Sequence, residues 1–258
     1  MLELYHFHGA TCGLKSRLVL AEKGLEYVDH AVERGYLRSP EYRKINPNAV
    51  VPTLVHDGAY IYESSVILNY IDDAFDGPNL KPGNPLGVAR TWWWMKRADE
   101  CLPMIGTLTY TVSMRPKLLA LSPEELEQHI EGIPVAATRA RRRRIIEDGF
   151  QSADFPQALE GLQKMLSDME SALNKSEWLA ADQYTLADIS MTPLVERLHE
   201  LQCGEMLDNT PGVADWWDRI KSRASYEECL GATPNPETEQ HRAGGEKAWP
   251  DIKKILAA

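Results

Sequence analysis

Three short stretches in the first quarter of the chain carry residue types that could do chemistry together. The first is Thr11-Cys12-Gly13, which follows a turn-rich run from His8 and opens a helical pattern. A hydroxyl or thiol at a helix start lies beside free N–H groups and partial positive charge, which stabilise a thiolate and lower its pKa. The plainer reading is that Thr11 is only the N-cap. The second stretch is Val51-Pro52, directly before a strand pattern. A cis bond there turns the preceding backbone outward, so the N–H and C=O of Val51 can pair with an extended peptide like an added strand. An ordinary trans proline opening a strand is the alternative. The third is Glu63-Ser64 at another helix start. Its N–H groups and the Ser64 hydroxyl suit a carboxylate, and Glu63 suits an α-amino group; against this, Ser64 could merely cap its helix. Jointly the three describe a site for a small peptide with an amino acid at one end and a thiol at the other.

The elements that must position these residues follow from periodicity. Residues 2–7 read as a strand. Leu14, Leu18, Ala21 and Leu25 then recur at helical spacing, with Gly24 as a stop. Tyr27 to Val32 reads as a second strand, and Ser39-Pro40-Glu41 opens a short helix. Two apolar runs flank Asp57-Gly58, a strong hairpin signal. A helix follows from Ser64, with Val66, Ile67, Tyr70, Ile71, Ala74 and Phe75 on one face. The order β-α-β-α-β-β-α is the thioredoxin-type arrangement, expected over 1–76. Residues 77–87 read as a linker rich in Pro and Gly. Helical stripes fill 88–230, among them Leu159, Leu162, Leu166, Met169 and Leu173. Residues 231–258 read as a loosely held tail with a short terminal helix.

Composition narrows the function classes. The 258 residues are 43% apolar, enough for two modest cores. The formal charge of −10 argues against nucleic-acid or anionic-membrane binding. The four cysteines have neither metal-ligand spacing nor the look of a disulfide framework, which fits a reducing cytoplasm. The N-terminus lacks signal-peptide features, and no run is long and apolar enough for a membrane helix.

With Val51-Pro52, Glu63-Ser64 and the later Thr185-Leu186-Ala187-Asp188, the chain resembles the glutathione transferase family over roughly residues 1–230. The resemblance implies a thioredoxin-like domain plus an all-helical domain, with glutathione as co-substrate. It implies that Val51 and Pro52 hold the cysteinyl part of glutathione and that Glu63 and Ser64 hold its γ-glutamyl end. Thr185 to Asp188 would be a capping box that serves folding. A narrower likeness is to the bacterial β-etherases. It rests on Lys44-Ile45-Asn46-Pro47 to Pro52, His56-Asp57-Gly58, Leu14-Lys15, Glu22-Lys23-Gly24-Leu25 and the long middle segment of the helical domain. Those enzymes cleave the β-aryl ether bond of α-keto lignin dimers. The implied reaction is substitution by glutathione thiolate, giving a thioether and a phenol with no metal required. The implied partners are glutathione, the aromatic ether and a second subunit, identical or not.

One departure bears on the chemistry. Gly13 stands where several β-etherases carry serine, so thiol activation falls to Thr11, with Cys12 second. Two alternatives follow: thiol reduction or deglutathionylation through Cys12, or a non-catalytic glutathione-binding subunit of a heterodimer. Trp92, Tyr110 and Met114 are the expected pocket residues between the domains. The arginines at 139 and 141–144 read either as a solvated face paired with Glu124, Glu125, Glu127 and Glu131, or as lining for the pocket mouth. His6 and His8 are near the thiol site but read as structural, and Trp216-Trp217 as core.

Overall fold

The computed structural model describes residues 1–257. Alternation in Leu2-Glu3-Leu4-Tyr5-His6 buries Leu2, Leu4 and His6, the period-two signature of a strand, and β1 spans Leu2–His6. Helix α1 (Thr11–Glu22) follows, and Gly24 at φ 63° turns the chain out of it. Strand β2 is Val28–Ala31. Helix α2 (Pro40–Ile45) is capped by Ser39, whose hydroxyl accepts from Tyr42 N–H. Strands β3 (Thr53–His56) and β4 (Ala59–Tyr62) join through Asp57 and Gly58, both at positive φ as a two-residue hairpin requires. Helix α3 is Ser64–Ala74. The sheet order is β2-β1-β3-β4, with β1 and β2 parallel and the other pairs antiparallel. Thus the expected thioredoxin-like order is present. On α3, however, Ile67, Leu68 and Ile71 face the core while Val66 is 54% exposed, which corrects the expected stripe.

The second half is helical. Helix α4 (Pro85–Thr109) runs into a π-helical turn at Tyr110–Met114 and then α5 (Arg115–Leu118). Helices α6 (Pro123–Glu131), α7 (Ala136–Asp148), α8 (Asp154–Leu173), α9 (Leu186–Glu200), α10 (Pro211–Lys221) and α11 (Ala224–Tyr226) follow. One apolar core joins the sheet domain to the helices, from Leu4, Leu18 and Leu68 to Met95, Leu162 and Trp216. A satellite core of Leu118, Ile130 and Ile146 packs against Tyr110 and Met114. No helix among the described residues is long and apolar enough to cross a membrane.

The end of the chain differs from the loose tail expected of it. Helix α12 spans Thr238–Leu256 and buries His241, Gly245, Ala248 and Ile252. A Cβ on Gly245 would overlap the Leu201 carbonyl, so α12 lies directly on the end of α9. Ahead of it, Arg17 donates to the Cys229 carbonyl at 2.5 Å, and Arg34 pairs with Glu237 at 2.6 Å. Polar composition hid this packing because His241, Gly245 and Ala248, with Ile252 alone as a large aliphatic, form the buried face instead of a leucine stripe.

Candidate active site

The loop before β3 is set by side chains buried beneath it. Asn46 is fully enclosed and its amide donates to Val50 O and Thr53 Oγ1, each at 3.0 Å. The Tyr42 hydroxyl donates to the same Val50 carbonyl at 2.8 Å. The Val51–Pro52 peptide is cis. Among the described residues the Val51 N–H and C=O make no hydrogen bond, so a full donor–acceptor pair faces outward. Pro52 itself is buried under the loop.

Beside this loop lie two helix starts. At α1 the N-cap is Ala10, with extended backbone and no side-chain cap, so Thr11 is not the cap. The Thr11 hydroxyl has no hydrogen-bond partner among the described residues, and the N–H groups of Thr11, Cys12 and Gly13 are likewise unpaired. At α3 the turn residue Glu63 is exposed at φ 64° and ψ 120°. Non-glycine residues held there cost on the order of 1–3 kcal/mol and cluster at ligand-binding turns. Ser64 is 5% exposed and lies against the Cys12 thiol. Behind both helix starts the buried Lys15 ammonium meets Asp99 at 2.9 Å, and Asp99 also accepts from the Ser65 hydroxyl. That network ties α1, α3 and α4 together around the site.

Electrostatics at Cys12 run against the sequence expectation. Burial pushes its thiol pKa up, and the Lys15 charge and the Ser64 hydroxyl only oppose that in part. The partial burial of Cys12 outweighs the favourable charges at this helix start, so it is not a ready thiolate. A Cβ on Gly13 would sit 3.3 Å from both Ala10 Cβ and His6 Cβ, tight against the start of α1 and β1.

A cleft of about 310 Å³ opens between the two halves, within the range of small-molecule sites. Thr11, Cys12 and Val51 form one wall, and Leu102, Ile105, Tyr110 and Met114 the other. Tyr110 and Met114, the first and last residues of the π-helical turn, both line the cleft, and such turns are frequent at functional sites. Trp92 corrects the expected pocket: it is 53% exposed and is not among the cleft-lining side chains, because it points off the outer face of α4. His6 is fully buried against Asp29 at 2.7 Å, and neither it nor His8 lines the cleft.

Arginines are the functional side chains that sequence reasoning placed least well. Of the 139–144 run, Arg139 pairs with Glu131, Arg143 with Glu127 and Arg144 with Asp154, while Arg142 turns into the cleft. Arg197 is buried on α9, pairs with Glu200 at 2.6 Å and donates to the Gly9 carbonyl at 2.8 Å, fixing the thiol-side loop. A single arginine inside the apolar run of α9 was the available signal.

Comparison with known proteins agrees with this geometry. The family model for the glutathione S-transferase N-terminal domain matches residues 4–79, and that for the C-terminal domain matches residues 114–224. Protein LigF of Sphingobium sp. strain SYK-6 is 30% identical over 89% of this chain and 93% of its own. The tetrachloro-p-hydroquinone reductive dehalogenase of Sphingobium chlorophenolicum is 27% identical over 88% and 94%. The crystal structure of β-etherase LigF superposes with a TM-score of 0.80, covering 90% of this chain and 99% of that one. The chain belongs to the glutathione S-transferase family, whose co-substrate is glutathione.

Proposed function

We propose that this protein cleaves the β-aryl ether bond of α-keto aromatic dimers by glutathione substitution. The observation that carries the reading is one cleft with a helix start and free N–H groups on one wall and apolar and aromatic side chains on the other. The 30% likeness to a β-etherase supports the same substrate class.

In this reading the Val51 backbone pairs with the cysteinyl residue of glutathione. The first turn of α3 with Ser64 takes the γ-glutamyl carboxylate, and Glu63 takes the α-amino group. The glutathione sulfur then lies at the start of α1, where the Thr11 hydroxyl and the free N–H groups hold it as thiolate. The thiolate attacks the carbon bearing the aryloxy group. A C–S bond forms, the C–O bond breaks, and the electron pair leaves on the phenolate oxygen, which takes up a proton. The neighbouring ketone is unchanged, so no electrons are exchanged with an outside donor. Leu102, Ile105, Tyr110 and Met114 orient the rings and exclude water. A reducing cytoplasm, which keeps glutathione as thiol, is the compartment this chemistry needs. Exposed Val66, Trp92 and Trp93 suit a subunit contact, checked by size-exclusion chromatography with light scattering.

The test is phenol release from an α-keto β-aryl ether dimer by purified protein with and without glutathione. Release that needs both protein and glutathione supports the reading, and its absence despite measurable glutathione binding refutes it for this chain acting alone. A second reading has one observation in its favour, the Cys12 thiol in the cleft wall. Cys12 would then form a mixed disulfide with glutathione. The raised thiol pKa makes that nucleophile slow at neutral pH.

A further inference from the structure

Of the arginines at 139 and 141–144, only Arg142 lines the cleft. Its guanidinium lies over the Tyr110 ring, 3.4 Å from the centroid, and donates to the Gly106 carbonyl at 2.9 Å. Among the described residues neither it nor Arg141 has a carboxylate within ion-pair distance, whereas Arg139, Arg143 and Arg144 are all paired; of the two unpaired arginines only Arg142 lines the cleft. The other two arginines in the cleft wall are occupied as well, Arg34 by Glu237 and Arg197 by Glu200. Space for Arg142 is built into α4: a Cβ on Gly106 would approach its Nη2 to 3.2 Å. Burial pulls its pKa down only to about 10, so it stays cationic at neutral pH. The result is a half-buried planar cation with spare donors, stacked on an aromatic wall of the substrate cleft. Such a group forms bidentate, charge-assisted hydrogen bonds with a planar anion.

We propose that Arg142 is a specificity-determining residue that selects aromatic second substrates bearing a carboxylate. The inference rests on the aromatic-substrate reading of the cleft, but not on ether cleavage itself. A ring carrying the acid would lie along Tyr110, with its carboxylate reaching the guanidinium edge. The Tyr110 stack and the Gly106 carbonyl fix the fork in advance, so little ordering remains to be done when the acid arrives.

Titration calorimetry on the full chain, saturated with glutathione, tests this with two unreactive diaryl ethers, 4-phenoxybenzoate and its amide 4-phenoxybenzamide. Wild type should bind the carboxylate ~10- to 100-fold more tightly than the amide, the range of a charge-assisted pair. Arg142→Gln should bring the two within about threefold of each other, Arg142→Lys should fall between, and Arg143→Gln should keep the wild-type ratio. Gly106→Ala, which crowds the guanidinium while leaving its charge, should also lower the ratio. Equal or undetectable binding of the two ligands by wild type overturns the proposal. So does a preference that survives Arg142→Gln or is lost equally in Arg143→Gln, and so does an Arg142→Gln effect confined to glutathione affinity. Failure of the etherase reading looks different: no phenol is released from any ether, yet the carboxylate preference and its loss in Arg142→Gln remain.

Discussion

At the residue scale the central contrast is between Thr11 and Cys12. Both line the cleft, but only Thr11 has a free hydroxyl at the first position of α1, and the thiol of Cys12 is held protonated by its partial burial. Thr11→Ala should lower kcat for ether cleavage on the order of 10- to 100-fold, the scale for loss of a hydrogen bond to a charged group. Glutathione affinity should change little, because in the proposed site Val51 and Ser64 carry the peptide. Cys12→Ser should retain most of the activity. Steady-state kinetics at saturating glutathione separate the two, and total loss in Cys12→Ser would move the thiol chemistry to that residue. Val51, Glu63, Ser64 and Thr11 are proposed from three stretches taken together and from the family resemblance, since a proline before a strand and a hydroxyl at a helix start each have a plain structural use. Arg142 was not legible, because which arginine of a run turns inward depends on helix phase and on a glycine one helix away.

Elements matter here chiefly through their ends. The Thr185–Asp188 capping box starts α9 inside the core, where the Asp188 carboxylate accepts from Leu179 N, Trp216 Nε1 and Thr185 N at 3.0, 2.9 and 2.9 Å. Asp188→Ala would strand these buried donors and should cost about 3–5 kcal/mol of unfolding free energy in a denaturant titration. The box could be read from sequence; its reach to Trp216 could not, because that contact joins residues 28 positions apart. Helix α12 shows the opposite case. His241 is fully buried, its Nδ1 is 2.7 Å from Ser113 Oγ, and its Nε2 is 4.0 Å from Glu237. Burial and the Arg197 charge lower its pKa to about 4 against the opposing Glu200 and Glu237. The native state therefore binds this proton less readily than the unfolded chain. Its neutral form contributes fully above the unfolded value near 6.5, and stability falls as pH drops from there toward 4. The loss over that window should be about 2–3 kcal/mol. In His241→Gln, unfolding midpoints measured at pH 7 and 4.5 should lie closer together than in wild type. A slope unchanged by that substitution would assign the acid sensitivity to other histidines.

Considered as a whole molecule, two domains share one core, and that sharing decides where chemistry can occur. The order of strands and helices was readable because hairpin glycine, helix caps and apolar spacing are local signals. The cleft was only partly readable: of the three residues expected there, Tyr110 and Met114 line it at a π-helical turn, while Trp92 points outward. The tight packing of the C-terminal segment was not readable, because its contacts to Arg17 and Arg34 lie about two hundred residues away. In the proposed reaction the assembled cleft holds a thiolate against an aromatic ring system, with no electron transfer required. The most direct test is mass-spectrometric product analysis of the dimer reaction with purified wild-type protein. The account predicts one glutathione thioether for each phenol released, sulfur on the former ether carbon, the ketone intact and no accompanying glutathione disulfide. Phenol accompanied by an equal amount of glutathione disulfide, with no thioether, would contradict substitution and assign the chain to thiol reduction.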